Sequence, residues 1–76
     1  MMATFAEKLR VAAARANLNQ SQLSRASGIS QTGISGLWHG RSEPTLETAA
    51  KLARALGVKV DDLTPEYDDL EEEEAA

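Results

Sequence analysis

The sequence predicts an all-α fold, a compact five-helix bundle followed by an acidic C-terminal tail. Three observations predict it: alanine is abundant, apolar residues recur at helical spacing, and capping residues interrupt them at short intervals. Thirteen of the 76 residues are Ala, the best helix former, and Leu, Ile, Val and Phe contribute 15 more. A chain this short buries only about 60% of the surface its unfolded form exposes, so the core is small and a deep substrate pocket is not expected.

The first helix is expected from about 4 to 16. Thr4 and Glu7 are spaced as a capping box, in which each side chain satisfies a free backbone amide, and Phe5, Leu9, Ala12, Ala13 and Ala16 follow at helical spacing. Asn19 is a good N-cap for a second helix with Leu23 and Ala26 on its apolar stripe, and Gly28 stops it. Ser30 caps a third, over residues 31–38, whose buried face is Ile34, Leu37 and Trp38, with Gly40 able to take the left-handed conformation at its end. Pro44 and Thr45 open a fourth, where Leu46, Ala49, Ala50, Leu52, Ala53 and Leu56 form a stripe ending at Gly57. Val58, Val60 and Leu63 are then expected to cover the bottom of the core. Thr64 as N-cap and Pro65 at the first helical position suit a fifth helix with Leu63, Tyr67 and Leu70 on one face. Four consecutive Glu after Leu70 repel one another at the unfavourable end of the macrodipole, so 71–76 is expected to be disordered.

The charge divides the chain in two. Its net value of -4 speaks against a polyanionic partner, but residues 66–76 hold seven acids and no base. Residues 1–65 hold eight bases and five acids, a balance of +3. The expected organisation is thus a mildly basic domain over 1–65 and an acidic tail over 66–76.

Several function classes drop out. The chain has no Cys, which removes disulfides, thiolate metal sites and Cys nucleophiles, and one His cannot make a multi-His metal site. His39 has no carboxylate or nucleophile constellation around it in the sequence, and none of the Ser and Thr residues has a case for activation, so no enzyme, metal or cofactor is expected. Charged residues interrupt the N-terminal segment, and no apolar run approaches the ~18 residues of a membrane span, so a cytoplasmic, membrane-free protein is expected.

The second and third helices are joined by three or four residues that include Gly28, which is a helix-turn-helix in the geometrical sense. With Ile34 at the centre of the third helix's buried face, Thr32, Ser35 and Gly36 fall on the opposite side and Gln31 projects from the first turn. That face is small, uncharged and rich in hydrogen-bonding groups, where a helix shaped only for solubility carries Glu, Lys or Arg. Gln pairs with adenine, Thr and Ser donate or accept, and Gly allows close approach, so the face suits a major groove. Small polar residues are also ordinary in a first helical turn, and that plainer reading stays open on these residues alone.

From Leu18 to Leu63, through Leu-Asn-Gln-Ser-Gln-Leu-Ser-Arg-Ala-Ser-Gly-Ile-Ser-Gln-Thr-Gly-Ile-Ser and Lys-Leu-Ala-Arg-Ala-Leu-Gly-Val to Asp-Asp-Leu, the sequence resembles the helix-turn-helix domain of lambdoid phage repressors, Cro proteins and the Xre family. The resemblance implies a lambda-repressor-like five-helix bundle that binds operator DNA as a symmetric dimer. It implies that Gln31 and Thr32 read bases, that Ser35 and Gly36 make further groove contacts, and that Asn19, Gln20, His39, Arg41 and Ser42 contact phosphates, Gln20 also bracing Gln31. Two positions depart from the family. A buried Arg–Glu pair found in many relatives is here Ala13 and Trp38, so both charges are gone together, and Trp38 is expected to fill the space near Ala13. Glu43 lies in a loop that is basic in many relatives, which lowers the expected phosphate affinity.

The function expected is a sequence-specific, DNA-binding transcriptional regulator, a repressor acting as a homodimer on a pseudo-palindromic operator. Two alternatives are an antitoxin that represses its own operon and a protein-interaction module that has lost DNA binding. For the tail there are three readings: a solvated extension, a mask for the basic surface, or a partner site in which Tyr67 and Leu70 make dimer contacts.

Overall fold

In a computed structural model, residues 4–63 are described, and four of the helices begin where a polar side chain takes over a free backbone amide. Thr4 caps α1 (Phe5–Arg15), its Oγ1 accepting from the Glu7 amide at 3.2 Å. The two-way capping box expected at this start is found instead at α2 (Gln20–Ser27). There Asn19 Oδ1 accepts from the Gln22 amide at 2.8 Å and Gln22 Oε1 accepts from the Asn19 amide at 2.9 Å. Ser30 caps α3 (Gln31–Trp38), accepting from the Gly33 amide at 3.1 Å, and Thr45 caps α4 (Leu46–Leu56), accepting from the Thr48 amide at 3.1 Å. Each such cap contributes about 1 kcal/mol.

The helix ends follow from left-handed residues. Gly28 (φ 77°) closes α2 and Gly57 (φ 73°) closes α4, while α1 runs out at Asn17, whose φ of 58° is one that Asn tolerates better than most residues. The Leu18 amide then returns to the Ala13 carbonyl at 2.9 Å. In the turn between α2 and α3, the Ser24 hydroxyl donates to the Ile29 carbonyl at 2.5 Å and the Ile29 amide donates to Ser27 Oγ at 3.2 Å. These bonds fix the angle at which α3 leaves α2.

Burial explains why the helices pack as one unit. Leu9, Leu23, Ile34, Leu52 and Leu63 are the largest fully buried side chains, one from each of five helices, and Phe5, Ala13, Leu37, Ala49, Ala53 and Leu56 complete the cluster. At ~1.5–3 kcal/mol per fully buried large aliphatic side chain, these five contribute on the order of 10 kcal/mol. α2 packs on α3 and α4, and α1 packs on α3. The fifth helix is α5 (Val60–Leu63), packed on α1 and α4. Its segment was expected to cover the core without being a helix; the Lys59 amide donates to Asp62 Oδ2 at 3.1 Å, which starts the turn. The helix expected from Thr64, with Tyr67 and Leu70, lies outside the described residues.

Three positions of the expected stripes are exposed. Ala26 and Ala50 lie about 60° around their helices from the buried Leu23 and Ala53, at the edge of the buried stripe, and Leu46, in the first turn of α4, is 63% exposed. Trp38 is half-buried against the cluster that contains the fully buried Ala13. It thus closes the rim of the core next to α1 rather than lying inside it. Among the described residues, no helix is long and apolar enough to cross a membrane.

Candidate nucleic-acid interface

The exposed side of α3 forms one wall of a shallow, open depression. It measures 530 Å³ and is lined by Gln20, Gln31, Thr32, Ser35, Gly36, Arg41 and Ser42. It therefore gathers all four residues expected to read bases and three of the five expected to contact phosphate. Asn19 lies outside it, on a neighbouring depression with Arg10, Ala14, Leu18, Ser21 and Trp38, and Gln20 lines both. His39 is exposed and lines neither.

Local geometry sets each side chain in turn. Gln31 is the first residue of α3, exposed, and its Nε2 donates to Ser21 Oγ at 3.3 Å across the helix-turn-helix. The acceptor for Gln31 is thus Ser21, one residue after the Gln20 expected to brace it. Thr32 is exposed, and Ser35, one turn further along, is half-buried. Asn19 uses its carbonyl oxygen in the α2 cap, which places its side chain at the mouth of α2 whatever else it contacts.

The loop after α3 folds back onto the helix. The amides of Arg41 and Ser42 both donate to the Gly36 carbonyl, at 2.8 and 3.2 Å, with Gly40 in the left-handed conformation (φ 75°) making the reversal. A Cβ on residue 36 would lie 2.7 Å from Ser42 Oγ. The loop packed on Gly36 therefore leaves little room for a side chain there, independently of any contact with a ligand. The fold-back also carries the Arg41 side chain over α3, where its Nη2 donates to Ser35 Oγ at 3.2 Å. Arg41 supplies the charge of this depression; the other residues lining it are neutral.

At the far end of α3, Arg10 of α1 donates from Nη1 to the Trp38 carbonyl at 2.8 Å. A cation there satisfies one of the unpaired carbonyls of the helix terminus and complements its dipole. α3 is thus held at both ends, by Ser21 at its start and Arg10 at its finish.

A helix-turn-helix family model matches residues 5–63, which span the five helices of the described residues. The chain belongs to this helix-turn-helix family. The resemblance to Xre and lambda repressor-like proteins is thereby borne out, and the helix-turn-helix proper is α2, the turn at Gly28 and α3. The chain is also similar to an uncharacterised HTH-type transcriptional regulator of Methanocaldococcus jannaschii, 36% identical over 62 residues, or 82% of this chain and 94% of that one. No solved structure matches.

Within the helix-turn-helix domain, sequence reasoning missed Ser21, Gln22 and Arg10. Gln22 was within reach, since Asn19 and Gln22 have the spacing of a capping box. Ser21 and Arg10 carried no such signal, because their partners lie 10 and 28 residues away and meet them only through the helix crossings.

Proposed function

We propose that this chain is a sequence-specific DNA-binding transcriptional regulator, which represses by occupying its operator and inserts α3 into the major groove. The observation that carries the reading is the exposed face of α3, where Gln31, Thr32 and Ser35 present hydrogen-bonding groups and no carboxylate. Gln31 and Thr32 would read base edges, while Gln20, Asn19, His39 and Ser42 would hold the sugar-phosphate backbone around them. The helix-turn-helix family and the transcriptional-regulator relative support the same class of function.

As a homodimer, the protein would set two copies of α3 in successive major grooves, about 34 Å apart, on a pseudo-palindromic site. The Gln31–Ser21 bond supports this reading, because it holds the leading side chain of α3 before DNA arrives. Less rotamer freedom is then lost on binding.

The test is selection of bound sites from random duplex DNA, followed by binding of the selected site to Gln31→Ala and Thr32→Ala. A reader of DNA should yield a two-fold symmetric motif, and each substitution should cost ~1–3 kcal/mol of discrimination at one position per half-site while non-specific binding persists. A chain that enriches no sequence would refute the proposal and favour an interaction module.

A further inference from the structure

We infer that Arg41 is a base-reading residue, aimed at guanine from the loop after α3, and that Ser35 is the residue that positions it. This deepens the proposed function and rests on α3 entering the major groove. Position 41 is expected from the family resemblance to contact phosphate. A phosphate contact asks for a side chain that projects outward from the loop, toward the strand on either side of the groove.

The geometry points the other way. The Arg41 and Ser42 amides are bound to the Gly36 carbonyl, so the loop is folded against α3 rather than splayed from it. From that anchor the Arg41 side chain runs back over the helix, and Nη2 lies 3.2 Å from Ser35 Oγ, one turn beyond Thr32. The guanidinium therefore shares a depression with Gln31 and Thr32, on the face that would meet base edges. One N–H is used on Ser35, and the planar fork retains four more donors, enough for a bidentate contact. Guanine presents two acceptors, N7 and O6, in the major groove, and Arg is their commonest partner. No carboxylate lines the depression to compete for the guanidinium.

Ser35 matters through its acceptor. By receiving the Arg41 N–H it restricts a long, exposed side chain to the groove-facing side, and its own hydroxyl proton remains available for a second acceptor.

The experiment compares site selection from random duplex DNA by the full chain and by Arg41→Ala, Arg41→Lys and Ser35→Ala, with thermal unfolding to confirm that each variant is folded. The full chain should select guanine at one fixed position of each half-site. Arg41→Ala should lose that preference, about 5- to 150-fold in discrimination, with the other positions of the motif retained. Arg41→Lys should keep part of the affinity and little of the preference, because an ammonium lacks the fork. Ser35→Ala should weaken the guanine preference without changing the dependence on salt. The inference is overturned if Arg41→Ala leaves the motif intact, weakens binding equally on all sequences and lowers the salt slope by about one, the signature of a phosphate contact. An unchanged guanine preference in Ser35→Ala overturns the positioning role. Failure of the full chain to select any motif overturns the DNA-reading function itself, an outcome distinct from both.

Discussion

The effect of Gly36→Ala on stability should depend on what stands at position 42. A residue in the middle of α3 gains about 0.8–1.0 kcal/mol of helix propensity when Gly becomes Ala. Against this, the new Cβ would lie 2.7 Å from Ser42 Oγ, where ordinary contact begins at 3.4 Å, so the hydroxyl must retreat by about 0.7 Å. Ser42 is exposed, so its hydroxyl can yield by turning about χ1 at a cost of about 0.5–1.5 kcal/mol, and the single substitution should come out within about 1 kcal/mol of neutral. In a Ser42→Ala background the nearest atom becomes the residue-42 Cβ, at 3.5 Å, which is ordinary contact. There the propensity gain should stand alone, raising stability by up to about 1 kcal/mol, or roughly 4–8 °C in melting temperature for a domain of this size. Urea and thermal unfolding of the four chains give the coupling directly. Effects that add within about 0.5 kcal/mol would refute the reasoning, because two side chains in contact must couple.

Two further outcomes test how α3 is held. Arg10→Met keeps most of the apolar stem but removes the bond to the Trp38 carbonyl, and should cost about 0.5–1.5 kcal/mol in urea unfolding; no loss would mean that the bond adds nothing in water. Trp38→Glu removes a half-buried indole from the rim of the core and should lower stability by about 1–3 kcal/mol, so an unchanged melting temperature would refute the packing described for that position.

The bundle was legible because its signals are local. Caps at Thr4, Asn19, Ser30 and Thr45 and stops at Gly28 and Gly57 each act within a few residues, and the periodic Leu and Ala positions need only the pitch of a helix to be placed. α5 escaped because four residues are too few to display a period. Leu46 and Ala50 were misplaced because periodicity gives the direction of a face but not where the core ends along the axis or how wide the buried stripe is. In the candidate site, the exposed face of α3 followed from the burial of Ile34. The fold-back of the 40–42 loop did not, since it depends on carbonyl and amide positions that side-chain chemistry does not reveal. Consequently Arg41 was assigned by family position, while its contact with Ser35 emerged only with the loop in place.

The tether from Arg10 has an evolutionary consequence. In relatives with a buried ion pair, the residues at the two positions that are Ala13 and Trp38 here must change together, since either charge left alone is costly. Here the acceptor is the main-chain carbonyl of residue 38, and every amino acid carries that group. A backbone partner imposes no side-chain identity between positions 10 and 38: position 38 can drift through residues that tolerate its half-buried rim while the anchor on α1 persists. Lineages built this way should show a variable position 38 beside an invariant basic residue at position 10.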